Sequence, residues 1–312
     1  MKYDIVCIGM AIMDSIIRGF DPEPVLSGFR AESGSLKAGG DAVNESVAAS
    51  KLGLRTGILC SLGNDPAGDM IAAELASSGV STDLIIRSDV NQTPVTTIFV
   101  MEDGNRRSIT NKAHRYNFHP ENYMDTFSSR AIILGSLFRA PFNDPGVLRD
   151  VLVSAKSQGM LVFADTKLPN FRKLSLDDIS DLLPMIDFVT PNLSEAEYYS
   201  GRKDPSEMAG VFMEKGARNV IIKLGEQGCF FRNSEMKLRI PAYSTDTIDA
   251  TGAGDNFIAG FASKILGGAD IEESLLFASA CGAICTTEIG AGTALINSLQ
   301  VEEFIRQHSP EQ

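Results

Sequence analysis

The chain has 312 residues, 44% of them hydrophobic, and a formal charge of -12 at neutral pH; it can bury one large α/β core, but it repels a phosphate backbone and an acidic bilayer surface. Nucleic acid and membrane are thereby excluded as partners, and a small anionic ligand would need a local device such as a metal ion or a helix N-terminus. MKYDIVCIGM lacks the basic start of a signal peptide, no apolar run nears the roughly 18 residues of a membrane span, and five scattered cysteines without a C-x-x-C point to reduced, buried thiols in a cytoplasmic protein.

In chain order, YDIVCIG (3–9) reads as a strand, and 12–38 reads as short strands joined by turns. VNESVAASKLG (43–53) reads as a helix, RTGILC (55–60) as a strand, and AGDMIAAELASSG (67–79) as an amphipathic helix. Residues 93–112 return to short strands, with EDGN (102–105) a good hairpin turn. Alternation then resumes through AIILG (131–135), LRDVLVSAKSQG (148–159), MLVFAD (160–165), IDFVT (186–190), DPSEMAGVFMEKG (204–216) and NVIIKLG (219–225). Strands alternating with helices predict an α/β fold with a mainly parallel sheet and helices on both faces. The two stretches that break the rhythm predict a small β appendage lying over the C-terminal edge of that sheet.

DATGAGDNF (249–257) carries the chemistry. A dinucleotide fingerprint fails because Phe257 stands where a third glycine should be, and a P-loop fails because the chain has no Gly-Lys dipeptide. What remains is a loop of small residues, Gly252, Ala253 and Gly254, opening the apolar helix FIAGFASKIL. Free backbone N–H groups and the positive end of the helix dipole at such a loop hold anionic oxygen. An acid in the first turn is by itself most often a cap. Asp255 beside an anion hole, however, suits phosphoryl transfer onto a hydroxyl, since the N–H groups stabilise the moving charge and the carboxylate takes the proton.

ATGAGDNFIAGF resembles the C-terminal signature of the ribokinase-like (PfkB) carbohydrate kinases, roughly D-T-x-G-A-G-D, and AGGDAVNESVAASKLG (38–53) resembles their A-G-G-x-x-x-N-x-A-x-x-x-x-x-L-G. Both stand in the right order at the right ends of the chain. Alanine at 250 replaces the usual threonine or serine, and serine follows Glu45 where alanine is usual. The resemblance implies a three-layer sandwich with a small β-sheet lid: 1–11, 39–92 and 113–312 as the nucleotide-binding and catalytic domain, and 12–38 with 93–112 as the lid.

Carried over by the resemblance, Asp255 is the general base and Gly252, Ala253 and Gly254 form the anion hole. Asp249 matches a residue that helps hold a monovalent cation, which makes K⁺ an expected partner. GMAIMD (9–14) puts Asp14 on the acceptor with Gly39, Gly40 and Asn44. TPNLSEAE (190–197) resembles the N-x-x-E element, with Asn192 at the nucleotide and Glu195 facing the waters of Mg²⁺, although the same residues alone read as a capping box. KLGEQG (223–228) resembles the strand and turn along the nucleotide, giving Lys223, Gly225 and Gly228, or else a plain hairpin turn. Asn111, Asp165 and Lys167 sit at strand ends, where substrate contacts fall in α/β sheets.

Weaker patterns are read as chance or surface: Ser234 with Lys237 as an S-x-x-K, His114 and His119 in a loop, and Cys281 with Cys285 on one helix face. The resulting expectation is an ATP- and Mg²⁺-dependent kinase acting on a hydroxymethyl group of a pentose, hexose or related sugar, with a homodimer through the lid as a further expectation. A nucleoside kinase of the same fold, with Phe138 or Tyr116 against the base, is the alternative, and a non-catalytic ligand-binding relative is the third reading. GSLFRAPF, after the strand near 135, lacks the acid that in ribokinases touches the sugar.

Overall fold

The computed structural model describes residues 2–25, 28–101, 105–111, 118–170 and 172–308. From the N-terminus, β1 (Lys2–Ile8), β2 (Ile12–Arg18), β3 (Asp21–Val25), β4 (Gly28–Arg30) and β5 (Ser33–Gly39) lead into α1 (Asp41–Lys51). There follow β6 (Thr56–Leu59), β7 (Ser61–Gly63), α2 (Pro66–Ser77), β8 (Ile86–Ser88), β9 (Val95–Val100), β10 (Arg106–Thr110), β11 (Ser128–Leu137), α3 (Pro145–Ser157) and β12 (Leu161–Thr166). The remainder is β13 (Phe188–Thr190), α4 (Leu193–Ser200), α5 (Pro205–Glu214), β14 (Val220–Lys223), β15 (Cys229–Arg232), β16 (Lys237–Ile240), α6 (Ala253–Gly267), α7 (Ile271–Cys285) and α8 (Ser298–Gln307).

The eight-stranded central sheet runs β16-β15-β14-β13-β12-β11-β1-β6, parallel from β14 to β6 and antiparallel at β15 and β16. Its strands read as near-continuous apolar runs because both faces are covered. On β1, Ile5 and Cys7 enter one core while Val6 and Ile8 enter the other; β11 divides Ala131 and Ile133 from Ile132 and Leu134 in the same way. Helices α1, α2, α6 and α7 close the first core, and α3, α4 and α5 the second, which is the expected three-layer sandwich.

Local chemistry starts several helices. Asp65, Asp144 and Asp204 each precede a proline, and each carboxylate accepts an amide N–H of the first turn while the proline fills the position whose N–H would be unused. Helix α7 was not among the predicted elements, since it is apolar nearly all round and so shows little period.

A second sheet of four strands runs β10-β9-β2-β5, with β2 parallel to β9 and antiparallel to β5. It comes from the two stretches whose rhythm broke. Strands β9 and β10 pair as a hairpin, although residues 102–104 of its expected turn lie outside the described residues. Where β5 turns into α1, Gly40 has φ +97, and a Cβ there would lie within 3.0 Å of the Met10 carbonyl. Valine at 40 is therefore expected to destabilise the protein by about 2 kcal/mol or more, through left-handed strain and overpacking. Thermal unfolding checks this, and an unchanged Tm would show that the turn is not tight.

Candidate active site

At the C-terminal ends of β12, β13 and β14, charged side chains meet the N-termini of α1, α4 and α6. Asp255 lies in the first turn of α6 and is 5% exposed. Asn44 Nδ2, from α1, donates to its Oδ2 at 2.7 Å. Burial first, and then the Asp41 carboxylate, push Asp255 up to about 7, against the pull of Lys167. A carboxylate of that kind is poised to take a proton near neutral pH.

The glycine loop before it has the form anion binding needs. Gly252 caps α6 with φ +80, and Asn256 N–H is bonded to Gly252 O at 2.9 Å. Among the described residues no acceptor takes the N–H of Gly252, Gly254 or Asp255, whereas Ala253 N–H turns back to Ala250 O at 3.3 Å. Lys223 Nζ would lie 3.2 Å from a Cβ on Gly254, so an ammonium group stands beside the open amides. The loop is braced from behind. Asp249 Oδ1 accepts from Thr251 N (3.1 Å) and Thr251 Oγ1 (2.6 Å), and its Oδ2 accepts from Gly290 N (3.2 Å).

Asp165 ends β12 and is 1% exposed. Its Oδ1 accepts from Thr190 Oγ1 at 2.9 Å and pairs with Lys223, and Lys167 Nζ is 3.8 Å from its Oδ2. Lys167 also lies 3.3 Å from Asp41 Oδ1; burial opposes its charge, but Asp165 and Asp41 outweigh burial and raise its pKa. Asn192 and Glu195 form the capping box of α4: Asn192 Oδ1 accepts Glu195 N at 3.0 Å, and Glu195 Oε2 accepts Asn192 N at 2.9 Å. Thr166 Oγ1 donates to the same Oε2 at 2.8 Å. The cap and the site are thus one structure, with burial and then Asp165 raising the Glu195 pKa.

Asp14, on β2, faces Gly39: a Cβ at 39 would fall within 3.0 Å of Asp14 Oδ2, so only glycine admits the carboxylate there. Burial pushes Asp14 up to about 6. Gly225 and Gly228 shape the turn from β14 to β15, where Gly228 N bonds Gly225 O at 2.9 Å and Leu224 N bonds Gly228 O at 2.8 Å.

The remaining expected residues are placed as follows. Asn111 Oδ1 accepts from Val95 N (3.3 Å) and its Nδ2 donates to Thr93 O (3.4 Å), so in this structure it ties the root of β9. Phe138 offers no surface to a flat base: it is 0% exposed and stacked on Tyr199, with ring centroids 4.0 Å apart. Tyr116 and His114 lie outside the described residues, and His119 pairs with Glu121. Lys237 reaches Ser206 Oγ (3.0 Å) rather than Ser234. All five cysteines are free and buried, as expected.

The sequence matches the model of the pfkB family carbohydrate kinases over residues 2–297. The chain belongs to that family. A pfkB-family carbohydrate kinase is a phosphotransferase with a sugar alcohol group as acceptor, which accords with a carboxylate beside open amides. The chain is 29% identical to an uncharacterized sugar kinase of Archaeoglobus fulgidus, over 80% of this chain and 98% of that one. It is 28% identical to the ribokinase of Haemophilus influenzae, over 86% of this chain and 87% of the relative. Its fold matches that of Arabidopsis thaliana ribokinase, solved with ribose and ATP, with a TM-score of 0.83 at 22% identity, covering 98% and 99% of the two chains. Among the described residues no helix is long and apolar enough to cross a membrane.

Three residues of this carbohydrate kinase site escaped sequence reasoning. Asp41 opens α1, accepts from Ser136 Oγ at the end of β11, and pairs with Lys167. Glu45 is 0% exposed, and among the described residues neither of its oxygens has a hydrogen-bond partner. Both stand with Asn44 at helical spacing (41, 44, 45), a one-face pattern that could have marked them. Ser136 carries no such signal.

Proposed function

We propose that this kinase transfers the γ-phosphoryl group of ATP to a hydroxymethyl group of a pentose, hexose or related sugar, with Asp255 as general base. The observation that carries the reading is one buried carboxylate, raised to about 7, immediately following amides that have no acceptor in the described structure. Gly252 and Gly254 hold the transferred phosphoryl oxygens through their N–H groups, with Ala253 shaping the loop, and Lys223 adds positive charge beside Gly254. Asn44 aims Asp255 at the acceptor hydroxyl. Asp14, admitted by Gly39 and Gly40, binds the other hydroxyls of the sugar, and the turn of Gly225 and Gly228 follows the nucleotide together with Asn192.

Glu195, with Asp165 beside it, would hold hydrated Mg²⁺ as an oxygen donor, and the ion would supply charge neutralisation on the phosphates. Asp249 keeps the loop in shape, with K⁺ as its proposed additional partner. At the acceptor end, Asp41 supplies from α1 the carboxylate that GSLFRAPF lacks, so Asp41 and Lys167 are proposed as acceptor contacts together with Asp165. Residues 12–38 and 93–112 form the lid, with Asn111 holding the root of β9. Leu36 and Ile109, exposed on the lid sheet, suit the proposed homodimer.

ADP release from MgATP across a panel of sugars tests the reading; release that no sugar raises above the Asp255→Asn background would sink it. Asp14→Ala should raise KM for the acceptor roughly 10- to 150-fold, because a hydrogen bond to a charged group is worth about 1.5–3 kcal/mol. KM for ATP should hold. A rise in the ATP term alone would reverse the site map.

A further inference from the structure

Glu45 has no role in the phosphotransfer reading, yet it is fully buried in the site. It is 0% exposed, among the described residues both oxygens lack a partner, and its Oε2 lies 3.0 Å from where a side chain on Gly135 of β11 would start. A buried carboxylate with nothing to bond is costly, and natural sites keep one where a ligand satisfies it. One oxygen each from Glu45, Asp165 and Asp255 lie within 4.8 Å of one another. Ligand atoms on opposite sides of a Mg²⁺, Mn²⁺ or Ca²⁺ ion are about 4–5 Å apart, so a single ion reaches all three.

We propose that Glu45, Asp165 and Asp255 bind one divalent cation in the nucleotide-free protein, separately from any ion that nucleotide brings to Glu195. The inference goes beyond phosphotransfer, since it requires neither nucleotide nor acceptor. The donors are all carboxylate oxygens, which select a hard cation of the Mg²⁺, Mn²⁺ or Ca²⁺ class over zinc or copper. They are also anchored before the ion arrives. Asp255 is fixed by Asn44, Asp165 by Thr190 and Lys223, and Glu45 by its place in α1 over Gly135.

Charge points the same way. Asp41, Glu45, Asp165, Glu195 and Asp255 face Lys167 and Lys223, whose ammonium groups pair with Asp41 and Asp165. Among the described residues no cationic side chain forms a salt bridge with Glu45 or Asp255, and Lys167 acts on both only from farther away, so a dication would match the excess of carboxylates. A ligating carboxylate gives up its basicity, so the ion occupies the resting site and gives way when an acceptor hydroxyl reaches Asp255.

Titration of the full chain with Mn²⁺ alone, followed by electron paramagnetic resonance of the free ion, tests the proposal. The wild type should bind about one Mn²⁺ without nucleotide, Glu45→Gln should bind it at least about tenfold more weakly, and Glu195→Gln should bind it as the wild type does. Circular dichroism and Tm without metal establish that each variant is folded; should Glu45→Gln not fold, Asp255→Asn takes its place with the same expected loss. Binding that needs nucleotide, that survives loss of Glu45 or Asp255, or that disappears with Glu195 would overturn the site. None of these outcomes depends on turnover, so a chain that binds Mn²⁺ as described but phosphorylates no sugar would refute the kinase reading alone.

Discussion

Replacing Asp255 with asparagine should lower kcat by roughly 10² to 10⁴ while leaving nucleotide affinity little changed, the usual scale for removing a general base. The substitution is informative because it is nearly isosteric. An asparagine carbonyl oxygen still accepts from Asn44 Nδ2, as Oδ2 does at 2.7 Å, so the packing of α1 on α6 persists and only basicity is lost. Stability should hold or improve, since one charge leaves a buried cluster that contains Asp41 and Asp165.

Steady-state kinetics against pH adds an independent check. A base with a pKa of about 7 must be ionised to act, so wild-type kcat/KM should fall about tenfold per pH unit below that value and level off above it. The measurement belongs at divalent concentrations no higher than nucleotide. In Asp255→Asn the residual rate should lose this limb, whereas a variant with near-normal turnover and an unchanged limb would move the base elsewhere.

The second large effect is expected at Gly252. Its φ of +80 suits glycine, and an added Cβ would fall within 3.0 Å of Ala291 Cβ. Valine is the worst case, being β-branched as well, and should cost about 2–4 kcal/mol of stability from left-handed strain and overpacking together. The greater consequence is chemical. Relieving the collision rotates the peptide that feeds α6, and the N–H groups of Gly252 and Gly254 lose their common aim. Loss of one such donor costs roughly 10² to 10³ in kcat, so Gly252→Val should fall by at least that much in the fraction that remains folded. Turnover within a few-fold of wild type, in protein shown to be folded by circular dichroism, would mean that the loop amides do not stabilise the reaction.

The chain by itself determined whatever depends on neighbours in sequence. Alternating strand and helix periods and the run of small residues at 252–254 are short-range signals, and each is realised where it was expected. The helix expected over 43–53 likewise carries Asn44 on α1. Tertiary structure decided which charges share a volume. Asp41 and Glu45 drew no reading from the sequence, and the register of β11 and β12 beside α1 sets Ser136, Gly135 and Asp165 against them. Phe138, which the alternative reading set against a nucleoside base, lies in the core and has a backbone φ of +75. Lys223 and Asp165 are 58 residues apart, and only the pairing of β12, β13 and β14 brings them together. Sequence periodicity records which face of an element is apolar; the depth at which a polar residue is buried, and the charges it meets there, depend on how distant strands are ordered in the sheet.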